Sequence, residues 1–134
     1  MIKNIDHIGI AVADVAAANA LFARLLGREH YKTEAVDSEG VLTSFFQVGE
    51  TKIELVAATR PDSVIEKYIA KKGAGMHHIA LEVADIRAEM RRLQSEGFEL
   101  LNETPKQGAD QKLICFLHPK TTNGVLIELC ETIK

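Results

Sequence analysis

Apolar and polar positions along this chain run through the same pattern twice. Ile5 to Val12 alternates, with Ile8, Ile10 and Val12 on one face of a strand and His7, Gly9 and Ala11 on the other. Asp14 then offers a side-chain cap to a helix over Val15 to Leu26. Its apolar residues Val15, Ala18, Leu21, Phe22 and Leu25 recur at helical spacing, and Gly27 supplies the stop. Tyr31 to Val36, Val41 to Val48 and Lys52 to Ala57 read as strands, the last two joined by a tight turn at Gly49-Glu50. The first pass is therefore β-α-β-β-β.

The second pass begins with a strand over Met76 to Val83 and a helix that Asp85 caps, running through Ser95 to a stop at Gly97. Arg87, Arg91 and Arg92 break its apolar stripe and are expected in solvent. Strands follow at Phe98 to Asn102, Lys112 to Leu117 and Gly124 to Cys130. A polar loop, Pro105 to Gln111, separates the first two, and a turn-rich one, His118 to Gly124, the last two. The repetition is literal as well as periodic: I-D-H-I-G-I-A-V-A-D-V from Ile5 answers to M-H-H-I-A-L-E-V-A-D-I from Met76, with His7 on His78. Ile53-Glu54-Leu55 answers to Ile127-Glu128-Leu129 near the end of each half. Between the halves, Pro61-Asp62-Ser63 opens a short amphipathic helix, Val64 to Lys72, that Gly73 and Gly75 end. The expected fold is α+β. Two tandem βαβββ modules, about 3–58 and about 76–134, and a connecting helix in about 59–75 share one mixed sheet in a single domain, 1–134, with the helices outside.

Composition narrows the function without naming it. At 134 residues, 46% apolar and 26% charged, the chain can bury a core of ordinary size and needs neither disulfides nor disorder to explain it. A net charge of −3 argues against nucleic acid as the main partner. No apolar run approaches the roughly 20 residues of a membrane helix, and no signal-peptide pattern opens the chain. Cys115 and Cys130 form no CxxC pair and sit in apolar runs, which suits buried free thiols in a reducing cytoplasm.

Alternation also carries chemistry. If Ile8, Ile10 and Val12 face a covering helix, His7 points to the opposite, concave side; His78 does the same beside Ile79, Leu81 and Val83. Ile53 and Leu55 place Glu54 on that side, and Ile127 and Leu129 place Glu128 there. Two carboxylates on an inner face require a cation or an unusually complete hydrogen-bond network. One divalent metal ion satisfies two imidazoles and two carboxylates together; His and carboxylate ligands admit Co, Ni, Mn, Zn or Fe.

At these residues the chain resembles the vicinal-oxygen-chelate (glyoxalase/bleomycin-resistance/dioxygenase) superfamily, in which paired βαβββ modules enclose a metal in a cup-shaped sheet. Within it, the segments Asp6-His7-Ile8-Gly9-Ile10-Ala11-Val12, Gly75-Met76-His77-His78-Ile79-Ala80 and Phe116-Leu117-His118-Pro119-Lys120, running on to Gly124-Val125-Leu126-Ile127-Glu128-Leu129, are most similar to the methylmalonyl-CoA epimerases. The resemblance implies metal ligands at His7, Glu54, His78 and Glu128. It also implies a 1,1-proton transfer through a metal-stabilised enediolate that interconverts 2R- and 2S-methylmalonyl-CoA, with Glu128 serving one face of the planar carbon.

Some members carry a second glutamate base where this chain has Thr43, and a hydroxyl is a poor base at neutral pH. Internal symmetry offers Glu54 for the second face. Lys120, His118 and the Gln107 to Lys112 loop, with Lys106 and Lys112, are candidate contacts to coenzyme A. Thr43 is a candidate substrate hydrogen bond, parity puts Met76 on the concave side, and Phe45 and Phe46 line either the acyl pocket or the core. His77 has helix-facing parity and His30 reads as surface.

The alternatives are glyoxalase I, acting on a glutathione hemithioacetal through the same four ligands, and a non-catalytic metal- or ligand-binding module of the same fold. Against glyoxalase, Ala11 stands where bacterial glyoxalases tend to place an arginine, and they lack the His-Pro-Lys loop. The non-catalytic relatives often lose ligands that this chain keeps. The resemblance further implies a homodimer.

Overall fold

A computed structural model describes residues 1–134. Eight strands form one mixed sheet in the order β2-β3-β4-β1-β5-β8-β7-β6. The strands are β1 (Ile2–Ala11), β2 (Lys32–Val36), β3 (Val41–Val48), β4 (Thr51–Ala58), β5 (Gly75–Val83), β6 (Lys106–Gln107), β7 (Lys112–Leu117) and β8 (Ile127–Thr132), and the helices are α1 (Val15–Leu26), α2 (Val64–Lys72) and α3 (Ile86–Ser95). The α+β class expected from the alternation is what the chain adopts. Its two compact units divide at the paired histidines. One comprises Ile8–His77; the other joins Met1–His7 to His78–Lys134.

In the Ile8–His77 unit, β2, β3 and β4 form an antiparallel meander. Asp14 takes hydrogen bonds from the backbone N–H groups of Ala16 and Ala17 at 3.0 and 3.2 Å, and α1 ends on Gly27 at φ 71°, where only glycine is unstrained. The core under α1 is Val12, Phe46, Leu55 and Ala57, with Val15, Ala18, Phe22 and Leu26 of the helix packed on it. Leu21 and Leu25, expected on that face, are 52% and 70% exposed. Helical spacing alone left the width of the stripe open, and the small residues Ala18 and Ala23 take the sheet side instead. Ile65 of α2 packs on Ala11 and Val56.

In the other unit, β5 and β8 pair in parallel and β7 returns antiparallel to β8. Ile86, Met90 and Leu93 of α3 close over Val83, Cys115, Leu117 and Leu129, while Arg87, Arg91 and Arg92 are exposed. Burying four such sheet residues under α1 and four under α3, at roughly 25 cal/mol per Å² of apolar surface, drives the docking of both helices.

Two expected strand limits shift. Phe98 to Asn102 is not a strand: only Leu100 bridges to Leu117. The Asn102 side chain accepts the Phe116 N–H at 3.1 Å, a donor the backbone ladder would otherwise use, and the short β6 forms farther on instead. β8 starts at Ile127 rather than Gly124, because the N–H groups of Gly124 and Val125 turn back to the carbonyls of Pro119 and Thr122. Both cysteines are buried thiols outside any disulfide. Burial pushes the Cys115 thiol above its ordinary pKa. No helix is long and apolar enough to cross a membrane.

Candidate metal centre

His7, in the first part of β1, lies in the same compact unit as His78 on β5 and Glu128 on β8. Their ligating atoms converge. His7 Nε2 stands 3.0 Å from His78 Nε2, His78 Nε2 is 3.2 Å from Glu128 Oε1, and His7 Nε2 is 3.7 Å from that oxygen. All three side chains are buried. Phe116, opposite Glu128 on β7, places its ring edge-on to His78 at 5.9 Å between centroids.

Hydrogen-bond chemistry sorts the donors. Asp6 Oδ2 lies 2.8 Å from His7 Nδ1. A carboxylate only accepts, so Nδ1 carries the hydrogen and Nε2 presents a lone pair. Burial of Glu128 opposes its ionisation, but in the metal-free site the adjacent His7 and His78 rings overcome that and hold its carboxyl at about 2, against an ordinary 4.5. The carboxylate is thus fully charged at neutral pH.

These residues fit a divalent cation. Two imidazole nitrogens and a carboxylate oxygen this close can all be directed at one ion. Adjacent donors at about 2.0–2.1 Å from a first-row ion stand roughly 3–3.5 Å apart, a range that holds the 3.0 and 3.2 Å separations and that the 3.7 Å one slightly exceeds.

Glu54 lies in the Ile8–His77 unit, buried on β4 opposite Phe45. That register separates the two phenylalanines: Phe45 shares the Glu54 face of the sheet, whereas Phe46 belongs to the core under α1. Thr43 is buried on β3 between Glu34 and Val56, on the Glu54 face. Met76 is 60% exposed, and its carbonyl accepts the Tyr68 hydroxyl. His77 packs edge-on to Tyr68 with centroids 4.6 Å apart. His30 is half-buried rather than fully exposed, next to Phe46.

In the His-Pro-Lys loop, His118 Nδ1 accepts the Lys120 N–H at 3.1 Å and so caps a short 3-10 turn over Pro119–Thr121. Lys120 Nζ pairs with Glu99 at 2.9 Å on the surface, and that contact holds the Glu99 carboxyl below its ordinary range.

Lys112 departs most from expectation. It does not reach outward to a phosphate but is buried, with Nζ 3.5 Å from Asp6 Oδ1 and donating to Thr132 Oγ1 at 2.7 Å. Its parity with Phe116, opposite Glu128, was the available signal. Nothing in the alternation marked Asp6, whose role depends on where His7 turns its ring.

Comparison with known proteins agrees with this geometry. Residues 6–116 match the Glyoxalase/Bleomycin resistance protein/Dioxygenase superfamily model. The chain is 40% identical over 131 residues to the ethylmalonyl-CoA/methylmalonyl-CoA epimerase of Cereibacter sphaeroides, covering 96% of this chain and 98% of that protein. The crystal structure of methylmalonyl-CoA epimerase from Mycobacterium tuberculosis superimposes with a TM-score of 0.93 at 37% identity, covering 99% of this chain and 90% of that one. A methylmalonyl-CoA epimerase solved in complex with methylmalonyl-CoA and ammonium gives a TM-score of 0.93 at 35% identity, covering 98% and 96%. These relatives favour the epimerase reading over glyoxalase I. With a family match over most of its length, the chain belongs to the glyoxalase/bleomycin resistance protein/dioxygenase superfamily.

Proposed function

We propose that this protein is a metal-dependent methylmalonyl-CoA epimerase, an isomerase that moves the C2 proton of the acyl group from one face to the other. The observation that carries the reading is the buried His7, His78 and Glu128 cluster in a chain whose full-length relatives are epimerases of this acyl-CoA. His7, His78 and Glu128 would hold the metal, with Glu54 as a fourth ligand; burial of its carboxylate and its symmetric place in the repeat support that role. When bound, a divalent ion supplies Lewis-acid stabilisation of the negative charge that develops on the acyl oxygens as the proton leaves. The ion's identity, among Co, Ni, Mn, Zn and Fe, is to be read by metal analysis of the purified protein.

The chain's own groups do the rest. Glu128 Oε1 is turned to the imidazoles, so Oε2 is the oxygen that takes the proton on one face. Glu54 serves the opposite face, in place of the base that Thr43 cannot be. Thr43 offers a hydroxyl to the substrate, and Phe45 and Met76 line its acyl portion. Lys120 and His118 hold coenzyme A, with Lys120 exchanging Glu99 for a phosphate oxygen. We further infer a single domain of two modules working as a cytoplasmic homodimer, in which a second copy covers exposed apolar side chains such as Leu21 and Leu25. Sedimentation of the purified protein tests the dimer.

The reading is tested by following loss of the C2 proton of methylmalonyl-CoA in D2O by NMR. Exchange that depends on added metal, stops with EDTA and is absent for the methylglyoxal–glutathione hemithioacetal is expected. Turnover of the hemithioacetal with no exchange of methylmalonyl-CoA would replace it with glyoxalase I.

A further inference from the structure

The two halves share register down to their closing strands. Phe45 stands opposite Glu54 and Phe116 opposite Glu128. Four residues back from each phenylalanine and four on from each glutamate, the paired positions are Val41 with Ala58 in one half and Lys112 with Thr132 in the other. The fold thus accepts an apolar pair at this place, and Val41 and Ala58 there pack against the core under α2. In the second half it carries a buried ammonium instead. Burying a charge costs several kcal/mol even when paired, and apolar replacements of buried ion pairs are often neutral or stabilising. Stability therefore gives no reason for a lysine here.

Its contacts supply one. Lys112 Nζ lies 3.5 Å from Asp6 Oδ1 and is held from behind by Thr132 Oγ1 at 2.7 Å. The other oxygen of Asp6 holds His7 Nδ1 at 2.8 Å, and His7 Nε2 faces His78 and Glu128. Thr132, Lys112, Asp6 and His7 form a continuous line into the metal centre from one side of the sheet. All but the first are buried.

We propose that Lys112 is a positioning residue for the metal centre: it fixes the Asp6 carboxylate against His7 Nδ1, and so locks the His7 ring with its Nε2 lone pair aimed at the ion. The ammonium at the second Asp6 oxygen holds the carboxylate in the orientation that meets His7 Nδ1. Partners of this kind orient the imidazole and select its tautomer, and their removal weakens metal affinity about 10–100-fold. The proposal rests on the metal-dependent reading above.

The test uses metal-free protein and Co2+ alone. Co2+ affinity is measured by calorimetry, the visible spectrum of the bound ion is recorded, and the histidine tautomers are read from two-bond 1H–15N spectra without metal. In the unmodified protein His7 is expected as a single Nδ1-H tautomer. Lys112→Gln keeps a polar N–H donor and removes the charge. It should mix the His7 tautomers, weaken Co2+ binding about 10–100-fold and change the Co2+ spectrum, with Lys112→Met behaving alike.

Lys112→Arg, which restores the cation, should return the tautomer and most of the affinity. A folded Lys112→Gln variant with unchanged Co2+ affinity and an unchanged His7 ring overturns the proposal while leaving the metal site standing. If the unmodified protein takes up no divalent ion, the metal-dependent reading falls, and the proposal with it. Should both charge-removing variants fail to fold, Thr132→Val, which frees the ammonium from its second anchor, decides on the same readouts, and no change in either overturns it.

Discussion

The two leading histidines stand 71 residues apart in matching sequence, yet their surroundings differ. His7 follows Asp6, whose carboxylate holds its Nδ1. His78 follows His77, which turns away to pack on Tyr68, and His78 itself is flanked by the edge-on ring of Phe116. One imidazole is oriented by charge and the other is flanked by an aromatic ring. The repeat holds two copies of a strand that carries a ligand. It does not hold two copies of the means of aiming it, because Asp6 precedes His7 where His77 precedes His78, and Phe116 meets only the second imidazole from β7. The same holds farther out, where Val41 and Ala58 in one half answer to Lys112 and Thr132 in the other.

The largest effect should come from breaking the symmetric pair of glutamates. Glu128→Ala removes a ligand and a base together, and should lower C2 proton exchange by at least 10²–10⁴-fold, the usual range for a positioned acid or base. Glu54→Gln is the sharper variant. If the two carboxylates serve opposite faces, it should slow epimerisation by a comparable factor while metal content, read by elemental analysis, is retained. Full turnover with metal bound would confine acid–base work to the Glu128 side and end the symmetric account.

Stability offers a second comparison. Leu55 and Leu129 follow the two glutamates and are both fully buried, one under α1 and one under α3. Each truncated to alanine should cost about 2–5 kcal/mol in denaturant unfolding. Leu25→Ala, on the exposed side of α1, should cost less than about 0.5 kcal/mol. Unequal losses at Leu55 and Leu129 would reveal which compact unit is less able to close over a cavity.

The smallest effect is in acid. Glu128 is held at about 2 in the folded protein against an ordinary 4.5, so its contribution to stability is fully present above pH 4.5 and is lost as pH falls from there through 2. Metal-free protein should therefore lose stability across that window, and Glu128→Gln should flatten the slope there. An unchanged slope would assign the acid sensitivity to other carboxylates. Glu89, held below its ordinary value first by its hydrogen bonds from Arg92, is the alternative source.

Much of this was legible in the sequence, for a physical reason. A strand side chain has two choices of face, so the isoleucines and leucines flanking His7, Glu54, His78 and Glu128 were enough to turn all four inward. The helix caps Asp14 and Asp85, each followed by its apolar spacing, likewise act within a few residues and needed no tertiary information. Periods of two and of 3.6 are local properties, and a repeat makes each local inference twice.

What the chain order could not reveal were relations across strands. That β1 lends its first residues to the second half's unit, bringing His7 to His78 and Glu128, follows from sheet assembly and not from the module limits. That Lys112 turns inward to Asp6 while Lys120 stays on the surface with Glu99 depends on register, since a lysine's long stem allows either. The failure of Phe98 to Asn102 to extend as a strand turned on one asparagine side chain taking a ladder hydrogen bond from β7. The sequence by itself determined which residue types face inward, because alternation is set by backbone geometry one residue at a time. Only the tertiary structure decided which of them meet, because hydrogen bonds and ion pairs depend on distances that the spacing of residues along the chain does not contain.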